Sequence, residues 1–231
     1  MFSAIAMIAF VGTSFSQKAT LDNPWSVEGV LSATKDGINW AAPTLRVRYF
    51  LNDNIAARVQ LGLGDGLGTA MSESHTYFEN ADGTGNEGTL DINRMNWNAQ
   101  VGGEYHLAGT DRMSPYFGLG INFGGGSSAA TGTSYNPSTD EYDANLNFAR
   151  DGKYSMFGVG VFAGMDFYVF KNMYVGLELG LNFSSYNYSD VTSEITVMSP
   201  STVMKTVTPG YTKTYLSTGA SSAAFRLGWR F

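Results

Sequence analysis

A strict two-residue alternation of apolar and polar residues, repeated along the chain, limits the fold of this sequence more than any other feature. It recurs in eight segments, residues 25–33, 44–50, 55–63, 93–106, 115–123, 153–167, 173–183 and 222–231. A period of two places alternate side chains on opposite faces of a β-strand, whereas a helix would scatter them around its circumference. The pattern therefore predicts eight strands.

The connections between these segments alternate in length. Short connections cover residues 51–54, 107–114 and 168–172, and longer ones rich in Gly, Ser, Thr, Asn and Asp cover residues 34–43, 64–92, 124–152 and 184–217. Short turns should therefore lie at one end of the sheet and long loops at the other. Loops of this length are unusual in a compact soluble domain but expected on the outer side of a membrane barrel.

The alternation alone does not say whether the apolar face is a core or a lipid-facing surface. A soluble lipocalin-like barrel would bury the apolar face. The glycine-rich polar face and its nearly balanced charges favour the inverse arrangement. So does a set of aromatic residues near the strand ends, which is typical of a membrane-interface girdle: Trp25, Tyr49, Tyr105, Phe167, Trp229 and Phe231. The predicted fold is all-β, an eight-stranded antiparallel transmembrane β-barrel with an up-and-down meander.

The polar face carries charged residues that would point into the barrel. We predict a lumen ion-pair network of six basic and four acidic residues, Glu28, Arg46, Arg48, Arg58, Arg94, Glu104, Asp166, Glu178, Arg226 and Arg230. An eight-stranded barrel has an interior just wide enough for side chains to fill, and buried charges there must be paired. The lumen is therefore predicted to be closed. If it conducted, the excess of two arginines would favour anions.

The first 16 residues resemble a secretory signal peptide. Met1 to Phe15 form a short apolar run without an acidic residue, and small residues at Ser14 and Ser16 precede a predicted cleavage site. The run lacks the usual basic start, so a start codon upstream or a buried core strand are the alternatives. The predicted organisation is a cleaved signal at 1–16, a short periplasmic segment at 17–24 and one barrel domain at 25–231.

The composition excludes several classes of function. The chain has no cysteine, which rules out disulfides and an all-cysteine zinc site, and its net charge of −6 without a basic stripe argues against nucleic-acid binding. The stretch 81–91, ADGTGNEGTLD, offers oxygen atoms that Ca²⁺ could use, but its spacing is not that of an EF-hand. We interpret the stretch as a solvated acidic loop, with a cation site as the alternative, and we predict no metal site and no cofactor.

Two histidines are the only candidates for acid–base chemistry. His106 shares the inward face with Glu104 and could pair with it, although a hydrogen-bond network in the lumen explains both residues. His75 has Ser72, Glu73 and Ser74 as sequence neighbours, but a catalytic triad requires convergence in space. We predict that the protein is not an enzyme.

The chain resembles a known family at its C-terminal end and in its strand plan. The closing FRLGWRF places Phe225, Leu227, Trp229 and Phe231 on one face and resembles the signal by which outer-membrane barrels are recognised by their assembly machinery. Eight strands with short turns and long loops resemble the small barrels of the OmpA transmembrane domain, OmpX and OmpW type. No segment follows strand eight that could be a peptidoglycan-binding domain, unlike in full-length OmpA proteins.

The resemblance implies a place in the outer membrane of a Gram-negative-type cell with both termini in the periplasm. The implied partners are outer-membrane lipid, lipopolysaccharide and the barrel-assembly machinery. We expect a structural or surface-interaction role, with an extracellular protein or a cation as a partner of the acidic loops 64–92 and 124–152. A narrow channel for small solutes or ions is the alternative, and a soluble ligand-binding barrel is a third.

Overall fold

The regular elements in the described part of the chain are all β-strands. The computed structural model describes residues 22–34, 37–64 and 71–231, without the side chains of 32–43 and 217–223. Within these ranges no helix is long and apolar enough to cross a membrane. The strands are β1 Trp25–Thr34, β2 Gly37–Phe50, β3 Ile55–Leu63, β4 Ser72–Phe78, β5 Glu87–His106, β6 Met113–Asn136, β7 Glu141–Tyr168, β8 Met173–Tyr188, β9 Val191–Met198, β10 Ser201–Thr208 and β11 Tyr211–Arg230. The predicted signal peptide at 1–16 lies outside the described residues, as do residues 17–21.

Eight of these strands close into a ring. Their order is β1, β2, β3, β5, β6, β7, β8 and β11, each neighbour is antiparallel, and β11 pairs with β1 to complete the barrel. The ends meet through backbone hydrogen bonds of 3.0 and 3.2 Å between Trp25 and Phe231. Closure leaves no sheet edge within the ring, which is what a strand in lipid requires. The predicted eight-stranded meander is confirmed.

The two faces of the barrel have the chemistry of a lipid-facing barrel. The apolar side chains point outward, with Leu119 64% exposed and Leu61 58% exposed, whereas Arg48 on the polar face is fully buried. The alternative of a soluble barrel with an apolar core is therefore wrong. At the short-turn end, Trp25 and Tyr49 lie 4.6 Å apart between ring centroids on the outer face, as part of the predicted aromatic girdle.

The long predicted loops are largely strands, and this part of the prediction is wrong. β4 lies within 64–92, only residues 137–140 separate β6 from β7 within 124–152, and β9 and β10 lie within 184–217. Beyond the apolar band both faces of a strand meet water or polar neighbours, so pairing continues without a hydrophobic period of two. Every residue of β10 is exposed, which illustrates why alternation could not reveal it.

The extra strands build an uneven wall above the ring. β4 pairs with β5, β9 pairs with the first part of β7, and β10 pairs with β9, so a sheet projects at the long-hairpin end. On the other side, β1 and β2 pair only as far as Thr34 and Gly37. The mouth of the barrel is therefore bordered by a tall wall on the side of β6 and β7.

Candidate functional site

Eight of the ten charged residues predicted for the lumen come together in one group, here named the charge cluster. Seven strands contribute to it, and each member is at most 6% exposed: Glu28 of β1, Arg46 and Arg48 of β2, Arg58 of β3, Glu104 of β5, Asp166 of β7, Glu178 of β8 and Arg226 of β11. The alternation of each strand directs these side chains inward, and all of them lie close to the short-turn end of their strands. The cluster therefore fills the lumen near the short turns.

Arg48 links three acids across the lumen. Its Nη1 lies 2.9 Å from Glu104 Oε2, its Nη2 lies 2.7 Å from Asp166 Oδ2, and its Nε lies 2.5 Å from Glu28 Oε1. Arg226 connects two of the same acids, with Nη1 3.1 Å from Glu28 Oε2 and Nη2 2.8 Å from Asp166 Oδ1. Glu28 and Asp166 therefore each meet at least two guanidinium groups.

Glu178 organises the other half of the cluster. Its carboxylate accepts hydrogen bonds from Arg46 at 2.9 Å, from Arg58 at 2.8 Å and from the Tyr116 hydroxyl at 2.6 Å. Arg58 also reaches Glu104 at 3.2 Å and so joins the two halves. Tyr116 comes from β6, the one ring strand that contributes no charge to the cluster.

The charge cluster is neutral, with four acids and four arginines. The two remaining arginines lie elsewhere: Arg94 is partly exposed and binds Glu73 of β4 at 2.6 Å, whereas Arg230 is buried below the cluster. Arg230 donates to the Asn23 carbonyl at 3.0 Å and packs over the ring of Phe50 at 3.8 Å. The predicted excess of two positive charges therefore lies outside the charge cluster, although Arg230 keeps one further positive charge buried beneath it.

Uncharged side chains pack above and below the charge cluster, and below it they lie beside Arg230. Gln60 accepts hydrogen bonds from Arg46, Gln100 accepts one from Arg58, and Gln100 donates to Asn122 at 2.6 Å, so an amide layer covers the outer side. Below, the rings of Tyr168 and Tyr174 lie 5.4 Å apart and are fully buried. Described side chains therefore occupy the lumen on both sides of the cluster.

Inward-facing glycines make room for the buried tyrosines. A Cβ at Gly228 would lie 2.5 Å from Cε2 of Tyr174, and one at Gly164 would lie 2.5 Å from Cζ of Tyr116. Neither distance is compatible with a real Cβ. The glycine-rich polar face noted in the sequence is therefore a steric requirement of the packed lumen.

His106 belongs to a hydrogen-bond chain at the short-turn end. Its Nδ1 lies 2.9 Å from Ser114 Oγ and its Nε2 lies 3.2 Å from Glu104 Oε2, as the pairing of His106 with Glu104 anticipated. Ser114 was missed because it precedes the alternating part of β6. Although serine, histidine and carboxylate stand in a row, each is at most 3% exposed and Glu104 also binds Arg48. The geometry is that of a buried hydrogen-bond network tied to the charge cluster.

The acidic stretch at the β4–β5 turn uses its oxygens locally. Asp82 Oδ1 accepts hydrogen bonds from the Thr84 backbone at 3.1 Å and hydroxyl at 2.6 Å, and Glu79 accepts two from Asn86. The bonds from Thr84 lower the pKa of the Asp82 carboxyl. Across the described ranges, no three His, Cys, Asp or Glu side chains are grouped as metal ligands would be.

His75 has no serine partner on its face of the strand. Its Nε2 lies 3.5 Å from Glu73 Oε2, and both residues are on the face of β4 opposite Ser72 and Ser74. The arrangement is therefore not a nucleophile and base.

A tyrosine clamp, which the sequence did not reveal, joins β4 to the β6–β7 turn. The hydroxyls of Tyr77 and Tyr135 donate to Asp140 Oδ1 at 2.7 and 2.9 Å, and their rings lie 4.8 Å apart. These two hydrogen bonds lower the pKa of the Asp140 carboxyl. Desolvation and the bond to Asp140 raise the pKa of Tyr77 above its usual range. The clamp ties two of the projecting hairpins together.

Comparisons with known proteins give one family match and several similar solved structures. A family model described as "Putative OmpA-OmpF-like porin family" matches residues 38–199. No curated protein matches the sequence. Among solved structures, similarity is found to a major outer membrane protein from Thermus thermophilus (16% identity, 90% of this chain and 98% of that chain covered, TM-score 0.42), OprG from Pseudomonas aeruginosa (13%, 94% and 99%, 0.37) and CarO from Acinetobacter baumannii (12%, 93% and 99%, 0.34).

Proposed function

The chain belongs to the OmpA-OmpF-like porin family, and from this premise we propose that it is an outer-membrane barrel with a closed lumen and a structural or surface-interaction role. The observation that carries the proposal is the charge cluster. Eight buried charged side chains from seven strands interlock and sum to zero charge. Each of the four arginines in the cluster faces at least one carboxylate, so a permeating ion would meet ion pairs there.

Opening a path through the lumen would require separating buried ion pairs. Removing one partner of such a pair costs roughly 3–5 kcal/mol, because the other charge is left buried and unpaired. Arg48 alone contacts three acids, so its displacement would disturb most of the cluster at once. Thermal opening to a conducting state would therefore be rare.

The asymmetry of the barrel supports a proposal for its orientation. The short turns, the first residue of β1 and Phe231 after β11 lie at one end, which we place in the periplasm. The projecting hairpins lie at the other end, which we place at the exterior. Outer-membrane lipid and lipopolysaccharide then contact the apolar band. The barrel-assembly machinery would read the outward side chains of Phe225, Leu227, Trp229 and Phe231, which are 37–56% exposed.

The surface that remains for interaction is the projecting sheet. The segments 64–92 and 124–152, predicted to contact an extracellular protein or a cation, contribute β4 and the outer parts of β5, β6 and β7 to it. We place the acidic residues of these two segments on the exterior side of the membrane. An extracellular protein partner suits a paired sheet of this kind better than a cation, because the carboxylates of Asp82, Glu79 and Asp140 already accept hydrogen bonds.

A narrow channel is the second candidate, favoured by the family description. A planar-bilayer conductance measurement separates the two. We expect the refolded protein to be silent. The Glu104→Gln/Glu178→Gln double variant leaves the cluster with two uncompensated arginines, and should open intermittently with a preference for anions.

The matched control is Glu87→Gln/Glu141→Gln, which makes the same charge change at exposed positions. Heat-dependent gel mobility should establish that each sample is folded. Steady conductance of the unmodified protein, changed by the lumen variant and not by the control, would replace the closed-lumen proposal with the channel.

A further inference from the structure

A second feature of the lumen lies on the outer side of the amide layer. A cavity of about 190 Å³ is bordered by Asn96 and Asn98 of β5, Tyr154 and Met156 of β7, and Tyr186 of β8. These five residues occupy inward-facing positions of their strands. At about 30 Å³ for each water, the space would hold roughly six water molecules or one small ring compound.

The lining has the chemistry of a site for an uncharged polar molecule. All nine described residues that border the cavity are uncharged. Each asparagine amide can donate and accept hydrogen bonds, and Tyr154 adds a hydroxyl that lies 3.2 Å from Asn96 Oδ1. Paired donors and acceptors match the hydroxyl groups of a ligand, whereas an ion or zwitterion would need a charged partner that this lining lacks.

A wall of tyrosines leads outward from the cavity. Tyr154 and Tyr186 have ring centroids 5.9 Å apart, Tyr215 stands perpendicular to Tyr186 at 5.4 Å, and Tyr188 stacks on Tyr211 at 4.7 Å. The register places Tyr211 opposite Tyr188 on the same inward face. Tyrosine combines an apolar ring face with a polar tip, which suits a ligand that has an apolar face and a hydroxyl edge.

Glycines keep this space open. A Cβ at Gly126 would overlap Asn96 Oδ1 and lie 2.5 Å from the Tyr154 ring, and a Cβ at Gly124 would lie 3.0 Å from Met156 Cε. The consecutive glycines 124–126, which the sequence places at the start of the loop 124–152, lie within β6, and Gly124 and Gly125 border the cavity. The small residues here let the polar groups of β5 and β7 approach one another.

We propose that this cavity binds a neutral polyhydroxylated molecule of the size of one sugar ring, which enters from the long-hairpin end. The amide layer above the charge cluster forms the floor of this cavity. This assignment goes beyond the proposed function and does not depend on it. Binding in this cavity and conductance through the barrel are measured separately, and either can be present without the other.

The test is ligand-observed NMR with the refolded protein in a zwitterionic detergent that has no sugar headgroup. The probes are D-glucose and D-galactose, with gluconate and glucosamine as charged analogues of similar size. We expect saturable binding of at least one neutral sugar and weaker binding of the charged analogues. Absence of saturable neutral-sugar binding by the folded protein would overturn the proposal.

Variants locate the binding within the cavity. Asn96→Leu/Asn98→Leu should weaken binding by about tenfold or more, because each lost amide contributes a factor of about five through its hydrogen bonds. Tyr154→Phe removes a single hydroxyl, preserves the packing and should weaken binding by less. Asn187→Leu, at an exposed outward position of β8, is the matched control and should bind normally. Equal affinity in all folded variants would overturn the assignment.

Discussion

Replacing Glu178 with glutamine tests whether the charge cluster acts as one network. The carboxylate Oε2 receives three donors, Nη1 of Arg46 at 2.9 Å, Nη1 of Arg58 at 2.8 Å and the Tyr116 hydroxyl at 2.6 Å. Glutamine keeps one acceptor oxygen, but its NH₂ group replaces Oε1 and cannot accept the hydrogen bonds that Nη2 of Arg46 and Nη2 of Arg58 donate there at 2.9 and 3.3 Å. The variant also leaves the cluster with one uncompensated positive charge. We expect a loss of about 3–5 kcal/mol in the free energy of unfolding.

Two variants control for causes other than charge. Glu178→Gln combined with Arg58→Met restores neutrality with an apolar chain of similar length, and should recover part of the lost stability because the unpaired charge is removed. Glu141→Gln at an exposed position should change stability by less than about 0.5 kcal/mol. Together the two variants separate the effect of net charge in the lumen from that of any Glu-to-Gln replacement.

The assay is equilibrium unfolding in lipid vesicles by guanidinium chloride, followed by tryptophan fluorescence and by heat-dependent gel mobility. A loss below about 1 kcal/mol for Glu178→Gln would refute the reasoning, since it would be less than the cost of leaving one buried polar group unpaired. A double variant as unstable as the sum of its two single variants would show that the charges are not coupled.

Three further predictions concern other parts of the molecule. Tyr77→Phe should increase hydrogen exchange of the β4 amides. In the unmodified chain, the pKa of Asp140 is lowered, so its contribution to the stability of the clamp is full above the ordinary pKa of about 3.9 and is lost at lower pH. The pKa of Tyr77 is raised, so its contribution to that stability is full below the ordinary pKa of about 10 and is lost at higher pH. Unchanged exchange in the variant between these two pH values would contradict the clamp. Gly228→Ala should reduce the folded fraction on gels by forcing a buried tyrosine ring to move, at a cost of about 1–3 kcal/mol or more, whereas Gly103→Ala on the outer face, where the nearest atom lies at 3.9 Å, should fold normally. Phe231→Ala should slow assembly in cells without changing refolding in vitro, because its side chain is exposed and its backbone bonds to β1 remain; equal defects in both assays would mark a structural role.

The sequence predicted the strands of the ring because residues that face lipid must be apolar and the alternate residues that face the lumen must be small or polar. In β7, Val159, Val161 and Ala163 point outward while Gly160 and Gly164 point inward, and this contrast can be read without coordinates. Outside the apolar band the contrast disappears. That is why β4, β9 and β10 were assigned to loops, and why the projecting sheet required the tertiary structure.

For the lumen, too, the sequence predicts which residues face inward but not which partners they meet. Alternation alone indicated that Arg48 and Arg94 both face inward, because the face of a residue depends only on its place in its own strand. Their partners depend on the register between strands and on the level of each residue along the barrel. Arg48 meets Glu28, Glu104 and Asp166, whereas Arg94 lies higher and meets Glu73 of a strand that was not predicted.

The sequence by itself therefore determined the fold class, the eight ring strands and the inward set of charges, since each follows from a local period of two. Only the tertiary structure decided that four acids and four arginines balance in one cluster. It alone brought Tyr77 to Asp140, and assembled the cavity above the amide layer from separate strands. These features depend on distances between residues far apart in the chain, which strand pairing and barrel closure fix and which no local pattern encodes.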